Sequence, residues 1–419
     1  MGQGILVAIA REAGTPTYVY DACAIRAQYA RLSSAFQHLP HRIHYSVKAN
    51  SNLGVLGVLE ALGAGVDIVS GGELYRAMRA GFTPADVVFS GVGKSVTELS
   101  EAIRVGVGLI NIESRAELEV LTRLASGVGK PIELGIRINP DVEVDTHPYT
   151  RTGTKGMKFG VPADSIIEIA RTIEAEPHLK LTAVGVHIGS QIRDANSFRE
   201  AAGRLREVVY QLRGVGVKIS RVDVGGGLGI RYRYEEVLSP EEYADALSPL
   251  ADLDVELVLE PGRFLVGNAG VLLTTCIYMK QSGGRSFAIM DGGMNDLVRP
   301  SWYQAEHEIT VVSALEPGAI TETVDVVGPL CEAGDFLGLE RELTGVHAGA
   351  VLAVHGAGAY GFAMSSNYNS RPRAAEVLID ADRWTVTRDR ETMTDLVRGE
   401  RSLEYISDPD WCEAPGGAV

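Results

Sequence analysis

A chain of 419 residues is too long for one small core, and with 45% hydrophobic residues it has the apolar material for a large barrel and a second domain. A formal charge of -15, with no clustered Lys or Arg, excludes nucleic acid and an anionic membrane surface as partners. Cys23, Cys276, Cys331 and Cys412 are scattered with no CxxC and no closely spaced His, so neither a disulfide framework nor a metal site is expected.

The amino terminus lacks a basic flank leading into a sustained apolar core, and no stretch reaches the ~20 apolar residues of a membrane span, so a soluble, cytoplasmic protein is expected. A helical-looking segment and the alternating Thr17-Tyr18-Val19-Tyr20 fill residues 1–20. Apolar, β-branched-rich runs then recur at 43–48, 66–70, 86–90, 108–113, 132–138, 183–188, 219–224 and 255–260, eight in all. Helical periodicity fills most of the gaps, as at Leu53 to Leu62, Glu73 to Ala80, Val96 to Arg104 and Ser197 to Leu212. Strands alternating with helices predict an α/β fold, a (β/α)8 TIM-type barrel with its site at the carboxyl ends of the strands; an open doubly wound sheet is the competing architecture. Residues 140–159 show no periodicity and read as a lid. Beyond about 265 the pattern changes to short alternating segments at 285–291, 308–313, 322–327 and 350–354, an all-β domain of sandwich or barrel-like form. The expected division is 22–264 for the barrel, 265–406 for the β domain joined by the strand within 1–21, and a frayed tail over 407–419.

A barrel gathers chemistry at its strand ends, and six of the eight runs end in polar or glycine residues: Lys48, Ser70, Asn139, His187, the Gly225-Gly226-Gly227 cluster and Glu260. Taken alone, Lys48 is a solvated lysine. Partial burial would lower its pKa and make it a nucleophile towards a carbonyl, with a Schiff base the obvious use. The three glycines leave backbone N–H groups free to approach a phosphate, although glycine clusters also make plain turns. They are no dinucleotide fingerprint, since Ile230 stands where the last glycine would be, and Gly93-Lys94-Ser95 is no P-loop, since Val88 occupies the required glycine position. A lysine, a phosphate cradle and the Glu260 carboxylate facing one mouth are what pyridoxal phosphate needs: an amine for its aldehyde, an anchor, and a partner for its ring nitrogen. Against this, Glu260 and Arg263 would serve equally as a structural ion pair, and His187 as a hydrogen-bonded core histidine.

The motifs HYSVKAN (44–50), HIGSQ (187–191), GGGLG (225–229), EPGR (260–263), MNDLVRP (294–300), GPLCEAGD (328–335) and GAYGFAMSSNYNSRPR (358–373) resemble the signature set of the diaminopimelate decarboxylases, alanine-racemase-like enzymes that use pyridoxal 5'-phosphate. The resemblance runs from about Thr15 to beyond Arg373. It implies that Lys48 carries the cofactor, that His187 stacks on its ring and Glu260 pairs with its nitrogen, and that Ser190, Gly227, Gly262 and Tyr360 complete the cofactor site. It further implies that Arg263, Arg299 and Tyr303, with Tyr360, bind substrate, and that Glu332 takes the distal ammonium. Cys331 and Glu332 are expected from the partner subunit of a homodimer, with Cys331 as proton donor and Lys48 behind it. Ala333 departs from the serine common in the family, and the amino-terminal segment is short.

The implied reaction is decarboxylation of meso-diaminopimelate to L-lysine, the last step of lysine biosynthesis. Two alternatives stand: a decarboxylase of the same fold acting on ornithine, arginine or carboxynorspermidine, and a non-catalytic protein of pyridoxal phosphate homeostasis. The long β domain with Cys331 and Glu332 weighs against the second.

Overall fold

The computed structural model describes residues 1–127, 129–154, 156–314 and 318–401; the expected tail lies outside the described residues. All eight predicted barrel strands are present, as His41–Ser46, Gly65–Ile68, Val87–Phe89, Leu109–Ile112, Ile132–Asn139, Leu179–Gly185, Arg221–Gly225 and Glu256–Leu259. Each pairs in parallel with the next, and the last pairs with the first through Leu257 and His41, so the sheet closes and the open doubly wound alternative falls. Gly65–Ile68, Val87–Phe89 and Leu109–Ile112 are buried from end to end, the continuous apolar pattern of a sheet covered by helices.

Side-chain caps begin many of the barrel helices. Asn52 accepts from the first-turn N–H groups of Leu53–Glu60, Ser70 from Glu73 N, Ser114 from Glu117 N and Asp194 from Asn196 and Ser197 N. Ser95 with Glu98, and Ser239 with Glu242, form reciprocal capping boxes. Ser70 therefore ends its strand to start a helix, and its polarity carries no chemistry of its own.

The second domain is a nine-stranded, mostly antiparallel sheet. Its spine is the long strand Gly270–Ser282, which pairs with Thr17–Asp21, Arg285–Met290 and Val351–His355. The amino-terminal strand also pairs in parallel with Ala375–Asp380, so strands far apart in the chain meet inside one sheet. Alternation along Thr17–Asp21 decides what each face covers. Val19 points to the amphipathic helix Gln3–Ala13, packing with Leu6, Ile9, Val271 and Val377. Tyr18 and Tyr20 point the other way, into the core shared with the barrel, with their rings stacked at 6.2 Å. Their hydroxyls donate to Asp296 O at 2.6 Å and to Glu376 Oε1 at 2.7 Å.

Glu376 is 1% exposed and is also held by Arg388, so its carboxylate depends on both donors. Tyr20→Phe keeps the ring stack and removes one donor from a buried charge, a loss of roughly 1–3 kcal/mol. The expected result is a lower midpoint of thermal unfolding; an unchanged midpoint would show that Arg388 alone satisfies Glu376.

Candidate active site

Two clasps join the β domain to the barrel mouth. Tyr360 N–H donates to Ala49 O at 2.8 Å, and Asn50 Nδ2 donates to Gly358 O at 3.0 Å, so the 358–360 turn sits against the residues flanking Lys48. Between the two domains lies a cavity of about 480 Å³. Its barrel side carries Lys48, His187, Ser190, Glu260 and Arg263. Arg299, Tyr303 and Tyr360 come from the second domain, and Tyr149, Thr150, Thr152 and Phe159 come from the predicted lid. Among its described residues that segment is irregular apart from one turn at Pro148–Thr150 and a single bridge from Arg151 to Gly189. It is tied down by Asn139 Nδ2 to Thr154 O at 2.9 Å, by Thr152 Oγ1 to His187 O at 2.6 Å and by Thr146 Oγ1 to Ser190 O at 2.7 Å.

Lys48 sits on a short turn, Val47–Ala49, just past its strand rather than on it. Its Nζ donates to Asp67 Oδ2 at 2.8 Å, and Ser46 Oγ donates to the same oxygen at 2.9 Å. Burial alone pulls the lysine down, as the sequence suggested, but Asp67, then Glu260 and Tyr360, outweigh it and leave the ammonium above the ordinary lysine range. The expected lowering is thus reversed by a carboxylate absent from the sequence reading.

Asp67 is 0% exposed and stands in the middle of an apolar strand. Asp223 and Asn111 occupy similar places, with Asn111 Nδ2 donating to Asp223 Oδ2 at 2.9 Å. A lone polar residue inside a fully buried β-branched run was the signal that would have found all three.

Burial, then the neighbouring Asp223, push the Glu260 carboxyl far above the usual range, while burial lifts Asp223 to about 6. Glu260 Oε1 is buried without a hydrogen-bond partner, an acceptor that a donor on a ligand would satisfy. Burial, then Lys48 and Arg137, hold His187 far below the ordinary imidazole range, so its ring is neutral. Its Nδ1 accepts from Gly226 N at 3.2 Å, which puts the ring proton on Nε2. At Gly226 an added Cβ would lie 2.1 Å from Glu260 O, and at Gly227, with φ +105°, 2.6 Å from Gly189 O. Only glycine allows these strand ends to approach so closely.

Arg263 and Arg299 are each 6% exposed, and among the described residues neither has an acidic partner. The Glu260–Arg263 ion pair is not formed: Arg263 Nη2 donates to Ser190 Oγ at 2.9 Å and Nη1 to Tyr232 OH, and its guanidinium lies 4.7 Å from the Tyr360 ring centroid. Burial brings Arg299 down to about 10, still a cation at neutral pH.

Four predicted site residues do not line this cavity. Gly227 supports the stretch at Gly189, and Gly262 packs against Ser46 and Ala49 beneath the lysine turn. Cys331 and Glu332 are exposed and outside the cavity lining, where Cys331 N–H donates to Asn369 Oδ1 at 2.9 Å and Glu332 Oε2 accepts from Tyr368 OH at 3.3 Å.

Asn139, a predicted strand end, anchors the lid instead of facing the cavity. Among the described residues, no cluster of His, Cys, Asp and Glu is placed to hold a metal.

This geometry can be set beside known proteins. A family model described as "Pyridoxal-dependent decarboxylase, pyridoxal binding domain" matches residues 23–267. The chain is 48% identical over 397 residues to the diaminopimelate decarboxylase of Pseudomonas aeruginosa, covering 94% of this chain and 95% of that one. Among solved structures, diaminopimelate decarboxylase from Helicobacter pylori complexed with L-lysine is similar with a TM-score of 0.90 at 37% identity, covering 94% of this chain and 98% of that one. The M. jannaschii enzyme, also in complex with L-lysine, matches with a TM-score of 0.89 at 34% identity over 95% and 94%. The residues present fit a pyridoxal phosphate group: an amine at the barrel mouth, a neutral flat ring beside it, an orphaned carboxyl oxygen and a glycine-lined strand end.

Asp67→Asn removes the nearest counter-charge from Lys48, so the lysine should titrate lower than in the unaltered protein. The pH dependence of Lys48 acylation in the cofactor-free protein, followed by peptide mapping, checks this; an unshifted profile would assign the raised value to Glu260 instead.

Proposed function

The chain belongs to the diaminopimelate decarboxylase family of pyridoxal-dependent enzymes, and on that premise we propose that it decarboxylates meso-diaminopimelate to L-lysine and CO2, the last step of lysine biosynthesis. The observation that carries the substrate assignment is the pair of buried guanidiniums, Arg263 and Arg299, which line the same cavity as Lys48 and Glu260 and have no acidic partners among the described residues. A substrate with a second amino-acid head supplies the carboxylate they lack. Ornithine carries no such group, which disfavours the diamine-forming alternative.

Pyridoxal phosphate, when bound, supplies an aldehyde for an amine and an electron-accepting ring for the electrons left when a carboxylate departs as CO2. Lys48 is the anchoring amine. His187 would lie against the ring, the Glu260 carboxyl would pair with the ring nitrogen, and Ser190, Gly227, Gly262 and Tyr360 would form or support the phosphate end. Arg263, Arg299 and Tyr303 hold the distal carboxylate, and Tyr360 closes the same wall. Glu332 takes the distal ammonium. The bond from the α-carbon to its carboxylate breaks, CO2 leaves, and the α-carbon takes a proton from Cys331 Sγ, with the Lys48 ammonium as reserve donor. The lid residues Tyr149 and Phe159 exclude water from the cavity while this occurs.

We further propose a homodimer, because Cys331 and Glu332 are exposed and do not line the cavity of their own chain. A second chain would carry them in. The boundaries 22–264 and 265–406, with 1–21 added to the latter, are supported by the family match over 23–267 and by the pairing of Thr17–Asp21 with Gly270–Ser282. No helix among the described residues is long and apolar enough to cross a membrane, and a cytoplasmic biosynthetic enzyme is the reading we adopt.

Purified protein with pyridoxal phosphate should release lysine from meso-diaminopimelate, and Lys48→Ala should abolish both turnover and the yellow absorption. Absorption without release would retain the cofactor and refute the substrate. Cys331→Ala should lower turnover on the order of 100-fold with cofactor binding intact. Mixing Lys48→Ala with Cys331→Ala chains should restore roughly a quarter of the activity, since one site of a mixed dimer is then whole. No recovery after confirmed subunit exchange would rule out a shared site.

A further inference from the structure

The two guanidiniums assigned above to the distal carboxylate are held by a pair of neutral side chains that none of the site motifs contains. Tyr232, 6% exposed, lies between them. Its hydroxyl accepts from Arg263 Nη1, and its ring face lies 4.8 Å from the Arg299 guanidinium carbon. His307, 0% exposed, stands edge-on to the same ring, with centroids 4.9 Å apart at 69°. The His355 carbonyl lies 2.7 Å from His307 Nδ1. A carbonyl can only accept, so Nδ1 carries the proton and Nε2 is bare. That bare nitrogen accepts from Arg299 Nε at 3.4 Å. Burial, then Arg299, hold the imidazole down to about 3, so it stays neutral across the working pH range.

The choice of neutral partners matters physically. A glutamate at either position would fix an arginine equally well but would cancel the charge that a carboxylate ligand needs. An apolar side chain would leave Arg299 Nε without an acceptor and its planar fork free to turn. With tyrosine and histidine, each guanidinium is oriented while its charge remains available. Among the described residues nothing bonds the two terminal nitrogens of Arg299, and both arginines line the main cavity and an adjoining one of about 360 Å³.

We propose that Tyr232 and His307 are positioning residues that fix Arg263 and Arg299 as one carboxylate-reading unit, and so set the preference for a substrate with a distal carboxylate over a plain diamine. This inference rests on the assignment of those arginines in the proposed function.

The test compares L-lysine, which carries the distal carboxylate, with cadaverine, which lacks it, by calorimetry on the holoenzyme and its Tyr232→Phe, His307→Leu and His307→Gln variants. In the unaltered enzyme lysine should bind more tightly than cadaverine. In Tyr232→Phe and His307→Leu lysine affinity should fall about tenfold or more and cadaverine affinity change less than about twofold, as expected when one charge-assisted contact is misaligned. KM for meso-diaminopimelate should rise with little change in kcat, and His307→Gln, which keeps a neutral acceptor, should recover most of the loss. Unchanged cofactor absorption reports that the fold is retained; if His307→Leu loses it, Tyr232→Phe decides. A lysine-to-cadaverine ratio that stays at the unaltered value in Tyr232→Phe, and in His307→Leu where that variant is folded, overturns the proposal. An unaltered enzyme that does not prefer lysine overturns the arginine assignment beneath it.

Discussion

At the mouth of the barrel one lysine faces three buried carboxyl groups, Asp67, Asp223 and Glu260, and the charge balance among them constrains what surrounds it. Burying a carboxylate without a partner costs several kcal/mol, and breaking a buried pair costs about 3–5 kcal/mol. Asp67 meets that constraint through Lys48 and Ser46, and Asp223 through Asn111 and Gly225 N–H. Glu260 does not: one of its oxygens has no donor, and its proton is the default remedy. The barrel end is therefore balanced only when a donor enters the cavity, and the same site that strains the protein alone is prepared for a ligand with a polar ring nitrogen.

Positive charge lines the same cavity. Arg263 from the barrel and Arg299 from the second domain rest on neutral supports beside the acidic groups. Such a mixture orients a ligand that carries both charges before any chemistry begins, since its ammonium and carboxylate groups are drawn to different side chains. The 358–360 turn makes the arrangement rigid, because its backbone bonds to Ala49 and Asn50 hold the two halves at fixed separation. The placement of the second domain's cavity residues and that of the lysine are thus mechanically linked.

Much of this was legible in one dimension. Eight β-branched runs with helical spacers predicted the barrel, because strand and helix periods differ and each leaves its own apolar pattern. Strand-end polarity pointed to Lys48, His187 and Glu260, and these three line one cavity. The same rule overreached at Ser70, a helix cap, and at Asn139, a lid anchor, because a strand end needs polar groups for local hydrogen bonding as well as for function. The resemblance of the MNDLVRP and CEAGD motifs pointed to Arg299, Tyr303, Cys331 and Glu332 without saying how they reach a site in the barrel.

What the sequence determined by itself was the class of fold, a lysine at the barrel mouth and the kinds of side chain around it, since these follow from residue type and short-range spacing. Tertiary structure alone decided the electrostatics. Lys48 was expected to be lowered by burial, yet Asp67, only 19 residues away in the chain but on the neighbouring strand, raises it at 2.8 Å. Tyr232 and His307 are unremarkable in sequence and become supports of two arginines only where the barrel and the β domain pack together. Periodicity is a property of neighbours along the chain, whereas Coulomb and desolvation energies depend on distances and burial that exist only after the chain has folded.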